Sequence, residues 1–247
     1  MDELKHHAFI RVEKKKSWSA IRYAQDHCMR KSAYIEPTHP ENTEKNTFYI
    51  RDNETSNRFI RATKENGMQL DKEVQKLYEK RIKRKIRKDA VLMSEVVTMP
   101  TNFNLEEFDE SYRRRYFRTA LNFLESYFGK GSVQAVSEHY DELHYHIHFF
   151  VTPLVKKSED EYGLSWDKYC GGKQKLSKFQ DLFYEAMSKE FPTLFERGSR
   201  FLDHPEIPTR KHVDHKKWKR ETLIKAAEQE QRQNEEWRID LANEILK

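Results

Sequence analysis

The chain has 247 residues, of which 35% are charged and 36% hydrophobic, and its 15 Phe, 12 Tyr and 4 Trp supply one sizeable core and exclude wholesale disorder. A net charge of +5 permits a polyanionic partner, and two cysteines, Cys28 and Cys170, exclude a disulfide framework and point to a reducing compartment. No apolar run approaches the roughly 20 residues that span a bilayer, and the N-terminus lacks the apolar stretch of a signal peptide, so a soluble cytoplasmic protein is expected.

Residues 7–12 read as a first strand. Ser17 is an N-cap for a helix over about 18–31, with Trp18, Ile21, Ala24 and Cys28 at helical spacing. Tyr23, His27 and Arg30 share another face of that helix, separated by four and three residues. Taken alone, a His-x-x-Arg pair is ordinary surface decoration. Residues 33–46 form a loop, and 46–50 a short strand. From Ser56 to Lys88 the pattern is helical with a break near Gly67. Its second half carries nine Lys or Arg between Asp71 and Lys88, either a solvated face or a surface that tracks phosphates.

Ala90–Met99 is continuous enough for a central strand, and Pro100 ends it. Asn104 caps a long helix running to about Phe128, with Phe108, Tyr112, Tyr116, Ala120, Phe123 and Leu124 as its core face. After Pro153 comes a charged loop around 158–162. The stretch 164–172 is turn-rich, with Gly171-Gly172 freeing the backbone. A further helix covers about 177–190, and Phe195-Glu-Arg-Gly198 closes it. Pro205 and Pro208 mark a linker. The remainder, about 211–247, is helical and highly charged, suited to a protruding helix or coiled-coil arm that would dimerise the chain, dock a partner or begin a longer coiled coil; His212 and His215 there read as surface residues.

One stretch organises the rest: His139-Tyr-Asp-Glu-Leu-His-Tyr-His-Ile-His148, which holds four of the 11 histidines. A lone strand histidine is usually a partly buried polar residue. Clustered imidazoles repel when charged and gain nothing from packing, so four of matching parity are better explained as a metal site. His144, His146 and His148 alternate, and a tight turn near Glu142-Leu143 folds 132–140 back on 144–154, setting His139 across from His146. Three or four imidazoles then converge on one divalent cation with open positions for a substrate. Glu142 could ligate the metal or hold a histidine tautomer; Asp141 reads first as a turn residue. The element order gives an α+β fold: an antiparallel-rich sheet with a central histidine-bearing hairpin flanked by helices, plus a charged C-terminal helical arm.

The spacing His139, Asp141, Glu142, His146, His148 resembles the metal motif of the Mob/Pre plasmid mobilisation relaxases, members of the HUH endonucleases. His27-Cys-Met-Arg30 is similar to that family's first motif, and Leu176–Phe183 and Phe195–Gly198 look like its later stretches in the same order. The likeness spans roughly residues 5 to 200. Tyr145 stands where the family usually has Pro, and His144 where it has a small polar residue. The resemblance implies a relaxase domain over 1–205 and an extension over 206–247. It also implies strand- and site-specific nicking of DNA at a transfer origin, with the transfer-origin hairpin and single strand as partners. His139, His146 and His148 would hold Mn²⁺ or Mg²⁺, although three histidines suit Zn²⁺ equally. His27 would attack the phosphate, Glu142 orient or deprotonate it, and Arg30 stabilise the transition state. Two other readings stand beside this one. A tyrosine, Tyr23 or the more remote Tyr78, would make the protein a rolling-circle replication initiator, and a structural metal would make it a non-enzymatic DNA-binding module.

Overall fold

A computed structural model describes residues 6–31, 37–54, 58–101, 109–192 and 194–198, all in the first of the two units into which the chain divides, Met1–Arg200. In chain order its elements are β1 (Ala8–Lys15), α1 (Trp18–Cys28), a 3-10 turn at Pro40–Lys45, β2 (Thr47–Arg51), β3 (Phe59–Arg61) and α2 (Leu70–Arg81). Then follow β4 (Met93–Pro100), α3 (Glu110–Phe128), β5 (Val133–His139), β6 (His146–Val151), β7 (Leu154–Lys156), β8 (Tyr162–Leu164), α4 (Trp166–Cys170) and α5 (Gly172–Glu190). Six strands form one antiparallel sheet in the order β1-β4-β6-β5-β2-β3; β7 and β8 pair separately. The α+β expectation holds, with the histidine hairpin β5–β6 inside the sheet.

The run Met-Ser-Glu-Val-Val-Thr-Met-Pro of β4 is buried at nearly every position, because the strand has a neighbour on each edge and helices on both faces. On one face α1 and α2 pack Ile21, Ala24, Leu70, Val74 and Leu77 against Ala135 and Phe150. On the other, α3 and α5 pack Tyr116, Ala120, Leu124, Phe179 and Phe183 against Val136, Phe149 and Val151. Each fully buried aromatic or aliphatic side chain in these layers contributes about 1.5–3 kcal/mol. A break in register between Val133 and Ala135 swaps the parity of β5. Val133 therefore faces α3 and α5, whereas Ala135, and with it Ser137 and His139, faces α1 and α2.

Several local expectations are corrected. The helix expected from Ser56 is a strand, β3, followed by a turn. The Asn66 side chain accepts from the Thr63 and Met68 amides at 3.0 and 3.2 Å, and Gly67 takes φ +59°. Helix α2 stops at Arg81, not at Lys88. Continuing it would stack Lys80 on Arg84, Arg81 on Lys85 and Lys83 on Arg87, all like charges four residues apart. Ile82 turns extended instead (φ −110°, ψ 107°), and Ile82 and Ile86 pack beside the α1–α2 layer. Helix α3 is capped by Asp109, whose side chain accepts from the Tyr112 amide at 2.9 Å; Asn104 and Phe108 lie outside the described residues. Tyr112, placed in the core by spacing, is 40% exposed at the first turn. Helix α5 begins five residues earlier than its apolar stripe, at Gly172 (φ +79°), and the short β7–β8 hairpin and α4 had no distinct pattern. The arm over 211–247 and its histidines lie outside the described residues. No described helix is long and apolar enough to cross a membrane.

Gly171 joins α4 to α5 where a Cβ would meet the Asp167 Cα at 2.7 Å and its carbonyl oxygen at 2.8 Å. Backbone cannot swing aside as a side-chain tip can. Gly171→Ala is expected to destabilise the fold by about 1–3 kcal/mol, measured by urea unfolding; an unchanged midpoint would show that α4 and α5 are not held this closely.

Candidate metal centre and active site

His139 and His146 are paired residues across the β5–β6 hairpin, and His148 lies opposite Ser137. All three are buried on the α1 face of the sheet. Their ring centroids form a near-regular triangle, 4.9 Å from His139 to His146, 4.5 Å from His139 to His148 and 4.9 Å from His146 to His148.

In each ring Nδ1 has an acceptor. His148 Nδ1 donates to Glu95 Oε1 at 2.6 Å, and His146 Nδ1 to the His144 carbonyl at 2.8 Å. His139 Nδ1 lies 3.3 Å from Glu142 Oε1. Holding the proton on Nδ1 leaves the Nε2 lone pair free, which is the tautomer a metal requires. The Nε2 atoms of His139 and His148 are buried without a hydrogen-bond partner, an arrangement that costs stability unless something else is bound there. The ligand atoms of His27, His139 and His148 lie within 4.8 Å of one another, as do those of His139, Glu142 and His146, so the two groups overlap at His139. Burial, and next the neighbouring His148, pushes His146 down to about 4 and His139 well below the ordinary histidine value. Neutral imidazole is the form that binds a cation. The donor set fits a divalent metal.

His27 faces this cluster from α1, its ring 5.7 Å from that of His139 and 5.8 Å from that of His148, with Nε2 4.0 Å from Glu142 Oε1. The helix is capped by Ser17 as expected, its hydroxyl accepting from the Ala20 amide at 3.1 Å, but it ends at Cys28. Arg30 adopts the left-handed conformation (φ +53°) beyond that end. Its amide reaches the His27 carbonyl at 3.0 Å, and the Lys31 amide reaches that of Asp26 at 2.9 Å, the two bonds of a Schellman cap. The Arg30 side chain therefore leaves the helix and does not stack above His27.

Its guanidinium is largely committed. Nε donates to Asp141 Oδ2 at 2.9 Å, and Nη2 donates to Asp141 Oδ1 and, at 2.7 Å, to Glu142 Oε1. Nη2 also lies 3.3 Å from His139 Nδ1, while Nη1 makes a long 3.5 Å contact with the His27 carbonyl. Arg30 expected against a phosphate is instead a clamp between the end of α1 and the hairpin loop. Asp141 is fully buried, accepts from Thr43 Oγ1 at 3.0 Å, and has the structural role first assigned to it. Burial opposes ionisation of Glu142, but the His139 hydrogen bond, His146 and Arg30 together hold its carboxyl well below the usual carboxylate range. It is a carboxylate that orients partners.

His144 does not join the cluster. It lies before β6 in the loop and is exposed, serving the site only through its carbonyl. Tyr145, which stands where the family usually has Pro, is buried and donates to Glu138 Oε1 at 2.6 Å. Tyr78 is also buried, its hydroxyl donated to the Leu92 carbonyl. Tyr23 is 61% exposed and, among the described residues, forms none of the ring contacts of the cluster. Two contributors went unread. Glu95 is buried in β4 and bridges His148 to Lys15, whose Nζ lies 2.7 Å from Glu95 Oε2. Burial opposes its charge, yet His148 and Lys15 keep it ionised well below the ordinary range. A single carboxylate inside the apolar run 90–99 was the available signal, since buried polar residues are the informative ones. Lys15 was hidden in a basic patch.

An antiparallel sheet with a histidine cluster on its inner hairpin and a helix laid over it defines a protein of the relaxase fold. The chain belongs to the Mob_Pre family, described as plasmid recombination enzyme, whose profile matches residues 5–220. A type 2 plasmid recombination enzyme of Staphylococcus aureus is 32% identical over 142 residues, 58% of this chain and 31% of that protein. A type 3 enzyme of Mammaliicoccus lentus is 27% identical over 218 residues, 87% of this chain and 48% of that protein. The chain thus matches about a third to a half of the length of these relatives. Among solved structures, the MobM relaxase domain, Mn-bound and in complex with plasmid pMV158 oriT DNA, superposes with a TM-score of 0.67 at 23% identity, covering 87% of this chain and 98% of that one.

Asp141→Asn removes one of the two carboxylates paired with Arg30, leaving Glu142, and is expected to cost about 1.5–3 kcal/mol by urea unfolding. Burial opposes the Asp141 charge, but Arg30 holds its folded value below the unfolded one. The wild-type advantage is therefore present above the ordinary carboxylate range, about pH 4, and lost as pH falls through the lower folded value. The gap between wild type and variant should hold down to about pH 5 and narrow as pH falls below about 4; a constant gap would show that Asp141 is not ionised against Arg30.

Proposed function

We propose that the chain is a divalent-metal-dependent relaxase that nicks one strand of DNA at a plasmid or mobile-element transfer origin and begins mobilisation. The observation that carries this reading is His27 set over a cluster of three buried histidines, two of which, His139 and His148, have a buried Nε2 without a hydrogen-bond partner. His139, His146 and His148 would hold the cation, with Glu142 beside His139 and His146. Three imidazoles suit Zn²⁺ on ligand type, whereas Mn in the related MobM domain favours manganese. When bound, such a cation polarises a phosphoryl oxygen.

The chain's own groups supply the rest. Burial, followed by His148, lowers the His27 value, so its imidazole is neutral and nucleophilic near pH 7. Its nitrogen attacks phosphorus, the bond from phosphorus to the 3′ oxygen breaks, and the freed 3′ oxygen takes up a proton. The product is a phosphoramidate joining His27 to the 5′ phosphate. Glu142, too weak a base at its lowered value to take a proton readily, orients the imidazole. Arg30 is a positioning residue here, because its Nε and Nη2 are engaged by Asp141 and Glu142. A tyrosine nucleophile lacks the same support, Tyr78 being buried and Tyr23 directed to solvent. We assign residues 1–205 to the relaxase domain and 206–247 to a charged extension that dimerises the chain, acting on DNA in the cytoplasm.

His27→Ala should lower nicking of supercoiled element DNA by about a thousandfold or more while leaving Mn²⁺ binding and thermal unfolding unchanged. Full-rate nicking by that variant would exclude His27, and a peptide adduct on Tyr23 would turn the assignment to a replication initiator. His146→Ala should lose Mn²⁺ binding by calorimetry. Chelation should stop nicking without unfolding the wild type; unfolding on chelation, with DNA binding but no nick under any metal, would leave a metal-stapled binding module.

A further inference from the structure

The charge of this chain is not spread over its surface. Residues 80–88 hold seven Lys or Arg, and with Asp89 this short run carries about the whole net charge of +5. The structure explains how so dense a run is tolerated. Past the end of α2 it leaves the helix as a strap, pinned by Ile82 and Ile86 to the α1–α2 layer, with Lys83, Arg84, Lys85, Arg87 and Lys88 exposed. Across from the strap stands the β7–β8 hairpin with Lys157, and between them lies an open cleft of about 320 Å³ lined by Arg84, Lys85, Arg87, Lys157 and Tyr162. Carboxylates answer only part of this charge. Arg84 pairs with Glu161 at 3.0 Å and Arg87 with Asp89 at 3.7 Å. Among the described residues, Lys83, Lys85 and Lys88 form no ion pair.

We infer that this cleft is a second nucleic-acid site, which grips the sugar-phosphate backbone of duplex DNA away from the nick. The strap wall supplies Arg84, Lys85 and Arg87, and the hairpin wall supplies Lys157 beside Glu161, so a phosphate chain running between them meets cations chiefly from the strap. The choice of duplex rests on the aromatic side. Sites for single strands combine a basic groove with open rings on which bases stack. Tyr162 is the one ring among the described lining residues, and the Arg81 guanidinium covers it at 5.0 Å. A groove with cations and no open ring reads backbone alone. The strap enters the sheet at Met93 and the β7–β8 hairpin leaves it after Val151, whereas the histidines sit toward the other end of β6. Six residues of strand rise from His148 to Leu154 put the two sites up to roughly 20 Å apart, about six base pairs of duplex.

The inference rests on the reading that the chain acts on DNA, but its test does not depend on cleavage. Binding of the full chain without metal is followed by fluorescence anisotropy, using a labelled duplex of about 20 base pairs of arbitrary sequence and a thymidine single strand of equal length. The variant R84Q/K85Q/R87Q/K88Q should weaken duplex binding tenfold or more at about 100 mM salt and reduce the slope of log affinity against log salt by about 3–4. Single-strand binding should stay within about twofold. Unchanged duplex affinity, or an equal loss on both probes, would overturn the assignment. Should the fourfold variant fail to fold, Glu161→Gln decides. It releases Arg84 and should tighten duplex binding, while unchanged or weaker binding counts against the cleft. A chain that binds duplex here yet never nicks would sink the nicking proposal and leave this one standing.

Discussion

The pairing of His139 with His146 across the β5–β6 hairpin is the constraint on which the rest of the molecule depends. Side chains alternate along a strand, so a shift of one residue would move every histidine to the opposite face. Two features hold the register. The irregularity between Val133 and Ala135 lets one strand feed the α3–α5 core at its start and the histidine face at its end. The hairpin is also flanked on both edges, β4 beside β6 and β2 beside β5, so neither strand is free to slip. The site is placed by the same pairing that builds the core.

Around that pairing burial favours the neutral form of His139 and His146, while the carboxylates beside the cluster stay charged. Glu95 and Glu142 are carboxylates that accept from, or lie against, the Nδ1 sides of His148 and His139. Against burial, they are kept ionised by those histidines first, and then by Lys15 and Arg30 respectively, cations brought from β1 and from beyond α1. His139 and His146 are held neutral first by burial and next by the neighbouring His148. The left-handed backbone at Arg30 is costly for a residue with a Cβ. The paired carboxylates of the hairpin loop hold it, and in turn they fix where His27 stands over the cluster.

The basic strap follows a different logic. Helical propensity favoured continuing α2, but like charges four residues apart opposed it, and Ile82 and Ile86 gained burial by leaving the helix. The outcome is a ribbon of cations with an apolar anchor, at the opposite end of the sheet from the histidines. Concentrating the charge in one stretch leaves the remainder of the chain close to electrically balanced.

Alternation and clustering alone determined the central hairpin, its histidine face, the Ser17 cap and the buried character of β4. These are local properties: period two for a strand, one side-chain oxygen for a helix end, and an apolar run for a strand with neighbours on both sides. Tertiary structure decided the rest. His144 shares the parity of His146 in sequence, yet β6 begins only at His146, and parity has meaning only within a strand. Arg30 appeared stacked on His27 until the helix ended two residues before it. Glu95 looked like an interruption in an apolar strand, because its partners, Lys15 and His148, come from 80 residues before and 53 after. Spacing along a chain reports which residues share an element. Which carboxylate meets which imidazole depends on strand order and on the closure of distant segments, and no local pattern encodes that.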